Sequence, residues 1–99
     1  MVKELTTNTF KDEATEGLVL IDFYATWCGP CKMLSPIVDE LSEEVTNAKF
    51  FKVDVDENEE LVEMFNIEAM PTLIILRDGK VVNKSVGFKP KAALKALLA

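Results

Sequence analysis

The fold of this chain is decided by residues 18–32, which read LVLIDFYATWCGPCK. The first eight residues form an almost unbroken apolar run, which is typical of a central β-strand that is buried on both faces. The segment ends in Cys28 and Cys31, the only cysteines of the chain, and the residues that follow repeat at helical spacing. A Cys-x-x-Cys pair where a strand leads into a helix is typical of a dithiol–disulfide redox centre.

The spacing of the two cysteines suits redox chemistry. Residues three positions apart at the start of a helix lie on one face, so the two sulfurs can meet with little backbone movement. The free N–H groups and the dipole of the helix start favour a thiolate at Cys28, and Lys32 adds a nearby positive charge. Pro30 suits the first turn, and Gly29 leaves the approach to Cys28 open. We therefore expect a lowered pKa for Cys28 and a more buried, less acidic Cys31.

Three other interpretations of the cysteine pair compete with the redox interpretation. A structural disulfide that closes a four-residue loop would stabilise the fold by only roughly 2 kcal/mol, and 99 residues can bury an adequate core without it. A structural zinc site normally takes four Cys or His ligands, and a chain without histidine would need a second chain to complete it. The third alternative is a pair of ordinary core thiols. The residue pattern favours the redox interpretation over all three.

Composition limits the class of protein further. The chain has 99 residues, 48 % of them hydrophobic, which predicts one domain over residues 1–99. A net charge of −6 argues against nucleic-acid binding, which needs a basic face. The first five residues turn polar before a signal peptide could form, and the longest apolar run is too short to span a bilayer. We therefore expect a cytoplasmic protein that binds neither nucleic acid nor membrane.

The hydrophobic pattern predicts the order βαβαβαββα. Strands are predicted at residues 2–5, 18–25, 50–55, 73–76 and 81–86, and helices at 7–16, 31–45, 58–65 and after 90. Asp78-Gly79 suits a tight two-residue turn between the last two strands. Because helices alternate with strands until this hairpin, the pattern predicts an α/β fold whose sheet is mixed, with an antiparallel edge.

Three segments together resemble the thioredoxin family over essentially the whole chain: residues 22–32 (DFYATWCGPCK), Met70-Pro71-Thr72, and Gly87. The resemblance implies the thioredoxin fold, a single domain with a central five-stranded mixed β-sheet flanked by four α-helices. It also implies a monomer that reduces disulfide-containing proteins without a bound cofactor. Its electrons would come from NADPH through thioredoxin reductase. The Gly29-Pro30 pair is similar to that of the general reductants of the family.

The resemblance also implies roles for individual residues. Carried over by position, Cys28 is the attacking nucleophile and Cys31 the resolving thiol. Asp22 and Lys52 resemble a buried pair behind Cys31. The rim that would receive the substrate chain comprises Trp27, Gly29, Pro30, Met70, Pro71 and Gly87. Tyr24 departs from the family pattern, because many bacterial relatives have a second Trp at that position.

Three of these residues leave alternatives open on the sequence alone. A carboxylate in a buried strand is costly, so burial should raise the pKa of Asp22 and let it take a proton from Cys31. Its alternative is a side chain at a wet sheet edge. Lys52 has apolar neighbours, which favours pairing with Asp22 over a solvated charge. Only about 5–6 % of X-Pro bonds in folded proteins are cis, which favours a trans Met70–Pro71 bond, whereas the resemblance implies cis.

Two other functional classes remain open beside an enzyme. One is a non-catalytic binding module or assembly subunit, which would bind partners even with both cysteines replaced. The other is a zinc-bridged dimer, which would hold one metal ion per two chains and dissociate on chelation. The enzyme interpretation differs from both because it requires both thiols to be free to exchange electrons.

Overall fold

The computed structural model describes residues 1–99, which build one mixed sheet with helices on both of its faces. In chain order the elements are β1 (Val2–Glu4), α1 (Phe10–Glu13), β2 (Leu18–Tyr24), α2 (Gly29–Glu44), β3 (Lys49–Asp54), α3 (Glu59–Met64), β4 (Thr72–Arg77), β5 (Lys80–Val86) and α4 (Lys91–Leu97). The strand order is β1-β3-β2-β4-β5, with parallel pairs up to β2 and antiparallel pairs beyond it. The predicted element order and mixed sheet are confirmed.

Strand β2 lies in the middle of the sheet and separates two hydrophobic cores. Its odd-numbered side chains pack in a cluster with Phe10 of α1 and Leu61 of α3. The even-numbered Leu18 and Leu20 pack in a second cluster with residues of α2 and α4. Because side chains alternate across a strand, both faces of β2 need apolar residues, and this explains its unbroken hydrophobic run. Asp22 is the one charged residue in the strand, and it belongs to the even-numbered face.

Helix α1 is shorter than the predicted 7–16, and its N-cap is Thr9. Hydroxyl groups explain the difference at both ends. Thr9 Oγ1 accepts a hydrogen bond from the N–H of Thr6, which holds the chain in a turn ahead of the helix. At the other end the Thr15 hydroxyl donates to the carbonyl of Lys11 at 2.8 Å. Such local bonds offer the backbone an alternative to the helical ladder.

The β4–β5 hairpin has the predicted two-residue turn. Asp78 and Gly79 have φ angles of 51° and 84°, the pair of positive values that a type I′ turn requires. The Asp78 side chain also accepts a hydrogen bond from the N–H of Gly17 at 2.8 Å, so the turn is attached to the start of β2.

No helix of the chain has both the length and the apolar character needed to cross a bilayer.

The helix predicted from residue 58 begins at Glu59, and Asn58 occupies its N-cap position without a capping hydrogen bond from its side chain. Its buried side chain instead accepts a hydrogen bond from the N–H of Thr7 and donates one to the carbonyl of Asp54. These bonds join the loop after β1 to the loop after β3. The side chain therefore holds together two loops that are 51 residues apart in the sequence.

We expect Asn58→Ala to lower the free energy of unfolding by about 2 kcal/mol, because it removes two hydrogen bonds. The N–H of Thr7 loses its acceptor, and the carbonyl of Asp54 keeps only the N–H of Glu57. Asn83→Ala is the matched control, since the side chain of exposed Asn83 makes one hydrogen bond, to the carbonyl of Leu97. It should cost less than about 1 kcal/mol. Urea unfolding of both variants measures the two values, and equal losses would contradict the role assigned to Asn58.

Candidate active site

The two cysteines lie at the point where β2 passes into α2. After Tyr24 the chain turns sharply, and the N–H of Cys28 donates to the carbonyl of Ala25 at 3.2 Å. Cys28 is the N-cap of α2, and Pro30 lies in the first turn. The Sγ atom of Cys28 accepts a hydrogen bond from the N–H of Cys31 at 3.2 Å. The N-terminus of α2 therefore presents one backbone N–H to this sulfur, and this contact and the helix dipole stabilise negative charge on it.

Cys28 and Cys31 form a disulfide, with their Cα atoms 5.3 Å apart. The predicted difference in burial is small, because Cys28 is 6 % exposed and Cys31 is 4 % exposed. Both sulfurs are covered because they pack with Ala25 and with the partly buried Tyr24, Val55 and Met70. No group of three or more His, Cys, Asp and Glu side chains is placed to hold a metal ion.

Trp27 lies beside the disulfide with 67 % of its surface exposed. Its indole Nε1 donates a hydrogen bond to Oδ2 of Asp56 at 2.9 Å, and this bond fixes the orientation of the exposed ring. The N–H of Asp56 in turn donates to Oδ1 of Asp54 at the end of β3. Sequence reasoning missed Asp56, because its role depends on how the loop after β3 approaches Trp27 and no local pattern signals that approach.

Two further loops complete the surroundings of the disulfide. The Met70–Pro71 bond is cis, as the family resemblance implied, and the Met70 carbonyl oxygen lies 3.8 Å from Sγ of Cys28. The carbonyl of Pro71 accepts a hydrogen bond from the N–H of Gly87 at 2.8 Å. Gly87 has a φ of 88°, which disfavours residues with a Cβ atom. These contacts bring the predicted rim residues of three separate loops to one side of the molecule.

Asp22 lies inside the protein, 5 % exposed, and its Oδ1 atom has no hydrogen-bond partner. It lines a cavity of about 250 Å³ together with Cys31 and Lys52. Burial raises the pKa of Asp22 to about 7, the positive charge of Lys52 opposes this rise, and the negative charge of Asp39 adds to it. The predicted direction is therefore confirmed, and the alternative of a wet sheet edge is wrong.

The prediction that Asp22 and Lys52 form an ion pair is wrong. The two residues are neighbours in the β2–β3 register, yet Glu4 is the only carboxylate within 4.0 Å of Lys52 Nζ. That distance, from Nζ to Glu4 Oε1, is 3.9 Å, and the Lys52 side chain is 42 % exposed. A flexible ammonium group keeps its hydration by turning toward a half-exposed carboxylate rather than a buried one. Sequence reasoning did not single out Glu4.

Comparison with known proteins agrees with this geometry. A family model described as Thioredoxin matches residues 1–99. The chain belongs to the thioredoxin family. It is 50 % identical over 99 residues to a thioredoxin of Listeria monocytogenes, covering 99 % of this chain and 96 % of the relative. It is 48 % identical over 98 residues to a thioredoxin of Bacillus subtilis, covering 98 % and 94 %.

Solved structures of thioredoxins share the fold. A thioredoxin of Plasmodium falciparum superposes with a TM-score of 0.91 at 40 % identity, covering 98 % of this chain and 96 % of that one. A mutant thioredoxin from Halobacterium salinarum NRC-1 gives 0.90 at 41 % identity, with coverages of 97 % and 86 %. With the Cys28–Cys31 disulfide at a helix start, the chain is a thiol–disulfide oxidoreductase with protein-disulfide reductase activity.

The raised pKa of Asp22 predicts how stability depends on pH. The folded protein binds the Asp22 proton more tightly than the unfolded chain, so ionising Asp22 costs stability. This cost is absent below about pH 4, grows as the pH rises through about 7 and levels off above about pH 8. From the two pKa values it reaches roughly 4 kcal/mol as an upper estimate.

We therefore expect Asp22→Asn to stabilise the oxidised protein relative to wild type by an amount that increases between about pH 4 and about pH 8. Denaturant unfolding at a series of pH values measures this difference. The exposed carboxylate Asp12 provides the control, because Asp12→Asn should change stability by a similar amount at every pH. A difference between Asp22→Asn and wild type that is the same at both ends of the range would contradict the raised pKa.

Proposed function

We propose that this chain is a general reductant of protein disulfides in which Cys28 attacks and Cys31 resolves. The observation that carries the proposal is the position of Cys28 at the N-cap of α2, where its sulfur accepts the N–H of Cys31. The same contact supports a thiolate in the reduced protein, because a helix N-terminus lowers the pKa of a thiol placed on it. Cys31 lies inside the helix and lacks this advantage.

In the first step the Cys28 thiolate attacks one sulfur of a substrate disulfide. A bond forms between Cys28 and that sulfur, the substrate S–S bond breaks, and the departing thiolate takes up a proton. The carbonyl of Met70 beside Cys28 supports docking of an extended substrate segment, since a free backbone carbonyl can accept a hydrogen bond from its N–H. Trp27, Gly29 and Pro30 are exposed next to the sulfurs and provide the contact surface.

In the second step Cys31 releases the substrate. Its thiol gives up a proton, and we assign Asp22 as the acceptor because both residues line the same cavity. The Cys31 thiolate then attacks the Cys28 sulfur, the mixed disulfide breaks, and the second substrate thiolate leaves. The Cys28 thiolate and the Cys31 thiol have then passed two electrons to the substrate, whose thiolates take up protons from solvent, and Asp22 returns the single Cys31 proton to solvent. A carboxyl whose pKa is about 7 suits this task at neutral pH.

The oxidised protein must then be reduced again. We propose thioredoxin reductase as the partner, with NADPH as the source of the two electrons. The two sulfurs carry these electrons, so the exchange itself needs no cofactor bound to this chain. We further propose a monomer in the cytoplasm, because a reducing compartment keeps the dithiol available for exchange. Lys52, placed beside Asp22 in the sheet register, supplies positive charge near the proton acceptor.

Single replacements of the two cysteines test their assigned roles. We expect Cys28→Ser to abolish reduction of insulin disulfides, because the attacking thiolate is gone. Cys31→Ser should still attack and then stall as a mixed disulfide, because no second thiol can release the substrate. Mass spectrometry under non-reducing conditions detects the stalled species, and turbidity of the released insulin chains measures turnover.

Two controls separate the enzyme from its alternatives. Running the insulin assay with NADPH and thioredoxin reductase, and again with dithiothreitol, distinguishes the reductase from a chemical electron donor. Activity with dithiothreitol but none with NADPH and thioredoxin reductase would remove thioredoxin reductase as the partner. Insulin reduction that survives in Cys28→Ser would defeat the mechanism, and a mixed disulfide on Cys31 instead of Cys28 would reverse the two roles.

A further inference from the structure

Three charged residues form a row across the sheet. Glu4 of β1 is the register partner of Lys52 in β3, and Lys52 is the register partner of Asp22 in β2. Register partners on neighbouring parallel strands present their side chains on the same face of the sheet. The order of charges is therefore negative, positive, negative, with the outer carboxylate half-exposed and the inner one buried.

The lysine in this row contacts the outer carboxylate. Lys52 Nζ lies 3.9 Å from Glu4 Oε1 and 5.9 Å from the centre of the Tyr24 ring. The Tyr24 hydroxyl donates to the same carboxylate, at 3.3 Å to Oε1 and 3.1 Å to Oε2. Tyr24 thus holds the Glu4 carboxylate in place, and that carboxylate in turn holds the Lys52 ammonium group. Asp22, on the other side of Lys52, keeps an oxygen without any hydrogen bond.

We propose that Glu4, oriented by Tyr24, is a positioning residue that holds Lys52 away from Asp22 and so keeps Asp22 a strong enough base to take the Cys31 proton. A cation between two carboxylates stabilises the ionised form of whichever it approaches, and that carboxylate then binds a proton less readily. The inference rests on the proposed role of Asp22 as proton acceptor. It adds a residue on the edge strand that neither touches the sulfurs nor lines the cavity.

The charged and titratable groups around Asp22 determine what else could change its protonation. Cys31, Lys32 and Asp39 face it from α2, Lys52 from β3 and Tyr24 from its own strand, whereas its β4 register partner Leu73 is uncharged. Of these groups, Lys52 is a flexible cation for which a second carboxylate, that of Glu4, competes with Asp22. The row Glu4–Lys52–Asp22 is therefore the part of this environment that a single distant substitution can rearrange.

The test measures the pKa of Asp22 directly, by carboxyl ¹³C chemical shifts in the oxidised protein. We expect Glu4→Gln to lower the pKa of Asp22 by roughly half a pH unit or more, because freed Lys52 moves toward Asp22. Tyr24→Phe, which removes the hydrogen bond to Glu4, should shift it in the same direction by less. Glu13→Gln is the matched control, because it removes an equal charge from a carboxylate paired with Lys3 of the same edge strand. It should leave the pKa of Asp22 unchanged.

The same measurement in a Lys52→Met background shows whether Glu4 acts through the lysine. If it does, Glu4→Gln has little effect on the pKa of Asp22 once Lys52 is absent. An equal shift in both backgrounds would overturn the inference, because Glu4 would then act only by its own charge. No shift from Glu4→Gln in the wild-type background would overturn it as well.

This experiment is separate from any test of the proposed function. The chemical shift of Asp22 reports the charge row whether or not Asp22 accepts a proton during turnover. If Glu4→Gln changes the pKa while Asp22→Asn leaves the release of substrate from Cys28 unaffected, the row exists and the proton-acceptor role fails. If the pKa does not move while Asp22→Asn slows release, the proposed function stands and the inference about Glu4 fails.

Discussion

The pairing of β2 with strands on both of its edges is the constraint on which the active site depends. Its parallel pairing with β3 brings Lys52 beside Asp22, and its antiparallel pairing with β4 aligns Thr72 with Phe23. Met70 and Pro71 directly precede Thr72, so the β2–β4 register carries them past the end of β2. There they meet the cysteines that follow the same strand end. One central strand therefore sets the positions of the sulfurs, the buried carboxylate and the backbone carbonyl beside Cys28.

Burial, rather than charge pairing, dominates the electrostatics behind the disulfide. The pKa of Asp22 is raised to about 7 although Lys52 is its register neighbour, so the desolvation of the carboxyl outweighs the attraction of the lysine. Lys52 contacts Glu4 rather than Asp22, which agrees with the proposal that Glu4 limits this attraction. The buried carboxylate lowers the stability of the folded protein above about pH 4, and the same raised pKa suits the proposed transfer of the Cys31 proton to Asp22 near neutral pH. Such a local loss of stability is typical of functional sites.

Local sequence patterns predicted the parts of the molecule that depend on local physics. The apolar run of β2, the helical repeat of α2 and the Asp78-Gly79 turn each follow from periodicity or backbone preference, and all three are present. The limits of α1 were predicted wrongly, because hydroxyl-to-backbone bonds of threonines around it compete with the helix.

The side-chain partners in the site depend on contacts between distant segments, and these were not predictable in the same way. The cysteines were visible from residue type and position alone, and Asp22 was visible as a costly charge in an apolar strand, although the family resemblance was needed to favour a functional role for it. Asp56 and Glu4 were not visible, because their partners Trp27 and Tyr24 are 29 and 20 residues away in the sequence. Only the strand order, with β3 between β1 and β2, places Glu4 beside Lys52.

The most direct test of this account is a single turnover with an aromatic disulfide that releases two coloured thiolates, one in each step. The first release reports attack by Cys28, and the second reports resolution by Cys31. If Asp22 takes the Cys31 proton, Asp22→Asn should slow the second release several-fold near neutral pH, where ionised Asp22 acts and the thiol is still protonated. The first release should change little. Equal rates of second release in wild type and Asp22→Asn from about pH 6 to about pH 8 would contradict the account.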